Sequence, residues 1–176
     1  MTSLLTLAQI NRMAASDFSQ AFGRVFEHSP WIAERALARR PFASIEALHA
    51  AMCAVVREAS ADEQLALLRA HPALAGREAI AGELTPESTR EQASAGLNAL
   101  SRAEMERISQ LNAAHAERFG FPFIIAVRLN TRDRILAEFE RRLGLDLEAE
   151  RIACLEQVYL ITGLRLRDLV SDAAPA

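Results

Sequence analysis

Four short stretches hold residue types that could do chemistry. In the first, His71 stands directly before Pro72. Proline disfavours α backbone for the residue preceding it, so a helix must stop there with the His71 imidazole at its carboxyl end. The helix dipole at that end favours the protonated ring, the form an acid catalyst needs near neutrality. A surface histidine capping the helix is the competing reading. In the second stretch, Ser88, Glu91 and Gln92 are spaced three and four apart and share one helix face. A hydroxyl, a carboxylate and an amide near a positive helix end suit a small, amide-rich molecule; a cap and two solvated polar residues would look the same. The third is Gly120-Phe121-Pro122-Phe123-Ile124-Ile125-Ala126-Val127, whose backbone groups need partners if it is buried and not helical. Such a segment either crosses the core or offers N–H and C=O groups to a ligand. The fourth is Arg165, between Leu164 and Leu166, which is either a snorkelling surface residue or a carboxylate clamp.

The elements that must position these residues are marked by caps. Ser16 precedes Phe18, Phe22, Val25 and Phe26, a helical stripe. Ser29-Pro30 opens a short helix over Trp31 to Ala38. Ser44 caps a helix carrying Ile45, Leu48, Met52, Val55 and Val56. Ser60 with Glu63 forms a capping box for the helix that ends near His71. Residues 72–84 show little periodicity and are expected to be loop. Thr85-Pro86 restarts a helix, and Ser101 with Glu104 is a second capping box, for a helix running to about Phe119. Eight apolar residues broken by proline then fit a buried extended segment. Thr131 caps a helix to about Leu143, and a last helix begins near Asp146. The expected architecture is a single all-α domain over residues 1–176, a bundle of about seven or eight helices.

Composition agrees. The 176 residues include 34 Ala and 23 Leu against 7 Gly and 6 Pro, and only 6 Val, 10 Ile and 6 Thr, a balance that favours helix. All 20 positive charges are arginine. Without lysine there is neither a Schiff-base amine nor a P-loop. A net charge of -3 provides no global field for nucleic acid. Cys53 and Cys154 read as small core residues, and no Cys/His spacing suits a metal. His28, His49 and His115 are expected at the surface or an edge, and Arg39-Arg40 and Arg141-Arg142 as solvated charge. No membrane span or secretory start is expected, the Ala-Ala-Pro-Ala tail is not a peroxisomal address, and the cytoplasm is the expected location.

Several blocks, in order, resemble one family. His71-Pro72-Ala73-Leu74-Ala75-Gly76, then Glu87-Ser88-Thr89-Arg90-Glu91-Gln92 with Ala95-Gly96-Leu97, Asn112, Phe119-Gly120-Phe121-Pro122-Phe123 and Leu164-Arg165-Leu166 are similar to the 2-oxo-4-hydroxy-4-carboxy-5-ureidoimidazoline decarboxylases of uric acid breakdown. The resemblance runs over about residues 10–170. It implies an all-helical homodimer that needs no cofactor or metal and acts on a small molecule, with neither nucleic acid nor membrane as partner. It further implies that His71 is the catalytic histidine and Glu91 the carboxylate beside it. Pro72, Ser88, Gln92, Phe123, Ile124, Ile125, Ala126, Val127 and Arg165 correspond to substrate-binding positions. One departure is Ala73, where the family commonly has an acidic residue. Two other classes compete: a binding module that kept the fold without catalysis, and a metal-dependent hydrolase using His71, Glu91 and His115.

Overall fold

Side-chain caps set most helix starts in the computed structural model, which describes residues 4–171. The Ala-Ala-Pro-Ala tail lies outside the described residues. In chain order the helices are α1 (Leu7–Arg12), α2 (Ala15–Phe22), α3 (Pro30–Ala36), α4 (Ile45–Glu58), α5 (Ala61–Arg69), α6 (Arg77–Ala81), α7 (Pro86–Ser94), α8 (Arg102–Phe119), α9 (Arg132–Arg142) and α10 (Leu147–Arg167). Strands β1 (Leu5–Thr6) and β2 (Val170–Ser171) pair in parallel, Leu5 with Val170 and Thr6 with Ser171. The class is all-α. The two helices beyond the sequence expectation are α1, of six residues, and α6, of five, which lies inside the expected loop. Neither is long enough to display a full apolar period.

The caps behave as their chemistry requires. Ser44, Thr85, Ser101 and Thr131 each accept a backbone N–H three residues on. Ser60 and Glu63 exchange hydrogen bonds reciprocally ahead of α5, as Ser101 and Glu104 do ahead of α8. Two starts differ from the sequence reading. Ser16 lies inside α2, which begins after Ala14 and ends at Phe22. Val25 and Phe26 are buried nonetheless, from the turns that follow the helix. Ser29 precedes α3 as expected, but its hydroxyl donates to the Glu27 carbonyl at 3.0 Å rather than capping.

The chain divides into two compact units: the part up to Leu67 together with the part from Tyr159 onward, and the segment Leu68–Val158. In the first, α3 packs on α2 and α4. Ile10, Phe18, Phe22, Ile32, Leu48 and Met52 fill its interior. Arg40 donates to the Met13 carbonyl at 2.7 Å, satisfying the chain just past α1. This arginine is therefore half-buried and structural rather than simply solvated. In the second unit the core joins Leu74 and Leu97 to Ile108 and Leu111 of α8, to Phe123, Ile125 and Val127, and to Ile135 and Phe139 of α9. No helix among the described residues is long and apolar enough to cross a membrane.

Candidate active site

The second unit brings the first three chemical stretches into one structure. Helix α5 ends at Arg69, and the His71 N–H donates to the Leu68 carbonyl at 3.2 Å. The chain then leaves the helix at Pro72, as proline requires. His71 is only 7% exposed, so the surface-cap reading gives way to a buried imidazole. The loop that follows is held in place by side chains. Leu74 is drawn into the core, and its carbonyl accepts from Asn112 Nδ2 of α8 at 2.8 Å. Ala75 adopts the left-handed region with φ of 43°, and its N–H donates to Gln92 Oε1 at 2.9 Å. A non-glycine residue in that region costs on the order of 1–3 kcal/mol, so the surrounding contacts must hold it there. Gly76 follows because a Cβ at that position would stand 2.8 Å from the Ala73 side chain.

Helix α7 supplies the other side of that bond. Ser88 and Gln92, one turn apart, are both buried, and Glu91 is half-buried beside them. The sequence pattern on this face therefore marks buried polar groups, not a solvated stripe. Helix α7 packs against the 3-10 turn Val127–Leu129, which closes the extended segment. The bond from Ala75 to Gln92 thus links the His71 loop to α7, and α7 in turn meets the end of the apolar run.

That run is buried from Phe123 to Val127 and free of helix from Phe123 to Ala126, as its length and proline predicted, with Val127 opening the 3-10 turn. It starts where Gly120 ends α8 in the left-handed conformation, φ 76°, which glycine adopts without strain. Side chains hold much of its backbone, and the turn that follows holds the Ala126 and Val127 carbonyls. Arg69 Nε donates to the Gly120 carbonyl at 3.0 Å. His115 Nδ1 meets the Phe121 carbonyl at 3.0 Å, and Arg142 Nη1 donates to the Ile124 carbonyl at 2.8 Å. Gln157 Oε1 accepts the Ala126 N–H at 2.9 Å. Among the described residues neither Phe123 nor Ile125 makes a backbone hydrogen bond within the chain.

Two expectations are corrected behind this segment. His115 is not at an edge and Arg142 is not solvated: they are 0% and 1% exposed. Both sit on apolar stripes, His115 with Ile108, Leu111 and Phe119 on α8, Arg142 with Ile135 and Phe139 on α9. That placement on a buried stripe is the signal the sequence reading passed over. Glu150, also fully buried, joins them from α10. Arg142 Nε and Nη2 donate to its two oxygens at 2.8 and 2.6 Å, while His115 Nε2 lies 2.8 Å from Oε1. Burial alone would raise the Glu150 carboxyl, but the hydrogen bonds from His115 and Arg142 and the guanidinium charge hold it below the ordinary range. Cys154 lies against the same group, and burial pushes its thiol up to about 12, so it is inert packing. Both His115 nitrogens are committed here, which removes it from the hydrolase constellation. No group of three His, Cys, Asp or Glu among the described residues is arranged to hold a metal ion.

Arg165 belongs to the first unit. Its Nη1 donates to Glu27 Oε2 at 2.8 Å and to the Val25 carbonyl at 3.3 Å, and both charged residues are buried. It is not a snorkelling surface residue. In the same unit His49 Nε2 meets Thr162 Oγ1 at 3.1 Å and the Cys53 thiol at 3.3 Å.

The OHCU decarboxylase family model matches residues 11–167. The chain belongs to that family. The 2-oxo-4-hydroxy-4-carboxy-5-ureidoimidazoline decarboxylase of Haloferax volcanii is 46% identical over 168 residues, covering 96% of this chain and 98% of that protein. The enzyme of the same name from Mus musculus is 40% identical, covering 94% of this chain and 93% of its own. A crystal structure of (S)-allantoin synthase superposes with a TM-score of 0.75 at 32% identity, covering 95% of this chain. This chain spans about half of that longer one, 54% of its length. In this member of the OHCU decarboxylase family Ala73 is half-buried and next to Pro72, in the loop that Asn112 and Gln92 hold.

Proposed function

We propose that this protein decarboxylates 2-oxo-4-hydroxy-4-carboxy-5-ureidoimidazoline to (S)-allantoin. The observation that carries the reading is the hydrogen bond from Ala75 to Gln92, which ties the loop after His71 to the helix bearing Ser88, Glu91 and Gln92. Membership of the OHCU decarboxylase family supports it.

The substrate has a carboxylate and a hydroxyl on one ring carbon, next to a C=N bond. Breaking the bond to the carboxylate releases CO2, and its electron pair forms a double bond to the neighbouring ring carbon. The π pair of the C=N moves onto nitrogen, which takes up a proton. The enol hydroxyl then loses its proton to become a carbonyl, and the carbon bearing the ureido group is protonated. The electron sink lies in the substrate, so the protein's tasks are to hold the ring, orient the carboxylate and protonate one face. His71 is the general acid and base, and Glu91 holds and polarises its ring. Pro72 shapes the wall beside the histidine. Ser88, Gln92 and the backbone of Phe123, Ile124, Ile125, Ala126 and Val127 bind the ring and ureido amides. Arg165 is assigned by the family resemblance alone to neutralise the substrate's charge. The same reading makes the protein a cytoplasmic homodimer that uses no cofactor.

The test is enantiomeric. Urate is converted with urate oxidase and hydroxyisourate hydrolase, this protein is added, and allantoin is followed by circular dichroism. A rapid (S)-allantoin signal is expected, and His71→Asn abolishes it while leaving the helical spectrum intact. Only the slow, signal-free background with the unaltered protein would falsify the reading; turnover retained by His71→Asn removes that residue from the chemistry.

A further inference from the structure

The buried segment Phe123–Ala126 has no strand beside it among the described residues. Arg142 of α9 and Gln157 of α10 bond its backbone at Ile124 and Ala126, and His115 of α8 meets the Phe121 carbonyl just before it. Arg142 is the centre of that set. One face of its guanidinium lies 4.4 Å from the Phe123 ring centroid, and Phe123 stacks on Phe139 at 3.9 Å with 9° between the planes. Its Nη1 holds the Ile124 carbonyl. Its Nε and Nη2 form a two-pronged ion pair with Glu150, which His115 braces from the far side while meeting the Phe121 carbonyl. Side chain, ring and carbonyl of two consecutive residues are therefore referenced to one buried cation.

A buried ion pair is weak evidence for stability, because desolvating both charges offsets much of their attraction. Well-packed apolar residues would serve a purely structural purpose as well. What they cannot do is donate to a carbonyl at a chosen point of an irregular backbone. Turning the Ile124 carbonyl inward sets the peptide plane that continues into Ile125. We infer that Arg142, clamped by Glu150 and His115, is a positioning residue that orients the Phe123–Val127 backbone for substrate. It never touches substrate itself. The inference rests on the decarboxylase reading for what the backbone binds, but not for the clamp.

The experiment uses the full chain with Arg142→Lys and Glu150→Gln, assayed well below each variant's melting temperature. Lysine keeps the buried positive charge but cannot reach both Glu150 oxygens and the Ile124 carbonyl as a planar fork. Misplacing a binding element by a fraction of an ångström lowers kcat/KM by about 10- to 100-fold, and here the change is expected mainly in KM. A merely structural role would lower the active fraction, reducing apparent kcat and leaving KM unchanged, and that result overturns the inference. Amide hydrogen exchange supplies a readout independent of turnover. Faster exchange confined to peptides spanning residues 121–127 supports the clamp, even if the unaltered protein proved inactive on this substrate. Exchange and KM both unchanged in folded Arg142→Lys overturn it.

Discussion

Two arginines are buried against carboxylates in this molecule, one in each unit, and they differ in what surrounds the pair. Arg165 meets Glu27 and the Val25 carbonyl, in a turn region next to α2. Arg142 meets Glu150 through two nitrogens, Ile124 through a third, and the Phe123 ring through its face, with His115 completing the set. Their sequence settings differed in how much of this they showed. Arg165, between two leucines, stood out, whereas Arg142, in an Arg-Arg doublet, read as solvent-facing charge. The lesson is that helical phase decides burial and immediate neighbours do not. Arg141 and Arg142 are adjacent, yet Arg141 pairs with Glu138 at the surface while Arg142 continues the stripe of Ile135 and Phe139.

The largest expected effect separates the two pairs directly. Arg142→Ala strands the Glu150 carboxylate in the core and releases Ile124, so it should cost about 3–5 kcal/mol of stability, near the upper end of that range. Arg165→Ala strands Glu27 in the same way but releases less backbone, and should sit near the lower end, about 3 kcal/mol. Thermal unfolding followed by circular dichroism measures both. Equal losses would break the comparison.

A second, smaller effect sharpens it through pH. The Glu150 carboxyl is held below its ordinary value of 4.5 in the folded protein. Its contribution is therefore fully present above the unfolded value and is lost as pH falls through the folded one. Glu150→Gln should be less stable near neutrality and should flatten the acid limb of the stability curve below 4.5. Urea unfolding midpoints at a series of pH values would show this, and an unchanged limb counts against Glu150 as the titrating group.

The smallest effect is at the surface of the same unit. Glu104, in the capping box of α8, is held at about 2 by hydrogen bonds from Arg132 first and then from Ser101. The sign is the same: its stabilisation persists above 4.5 and fades between there and about 2. Because this pair is only half-buried and open to screening, Glu104→Gln should shift the melting temperature slightly, and less in high salt. A shift as large as that of Glu150→Gln would mean that burial is not what distinguishes the two carboxylates.

Much of the candidate site's framework was legible because its signals are local. His71-Pro72 announces a helix end, Thr85-Pro86 a helix start, and the spacing of Ser88 and Gln92 a shared face. Each follows from backbone sterics or helical period, which act within a few residues. The clamp behind the extended segment was not legible in that way. His115, Arg142 and Glu150 come from three helices, and no local rule joins them.

The sequence by itself determined the all-α class, most helix starts, the break at His71 and the extended run after Gly120. Caps, prolines and the 3.6-residue period are written in contiguous residues, and neither charge count nor cysteine spacing contradicted them. Only the tertiary structure decided which polar residues go inside and whom they meet. A charge enters a core when partners from distant elements replace its water, and that depends on how helices pack. Arg142 shows both halves: its helix follows from Thr131 and the apolar stripe, and its burial from Glu150, His115 and the Ile124 carbonyl.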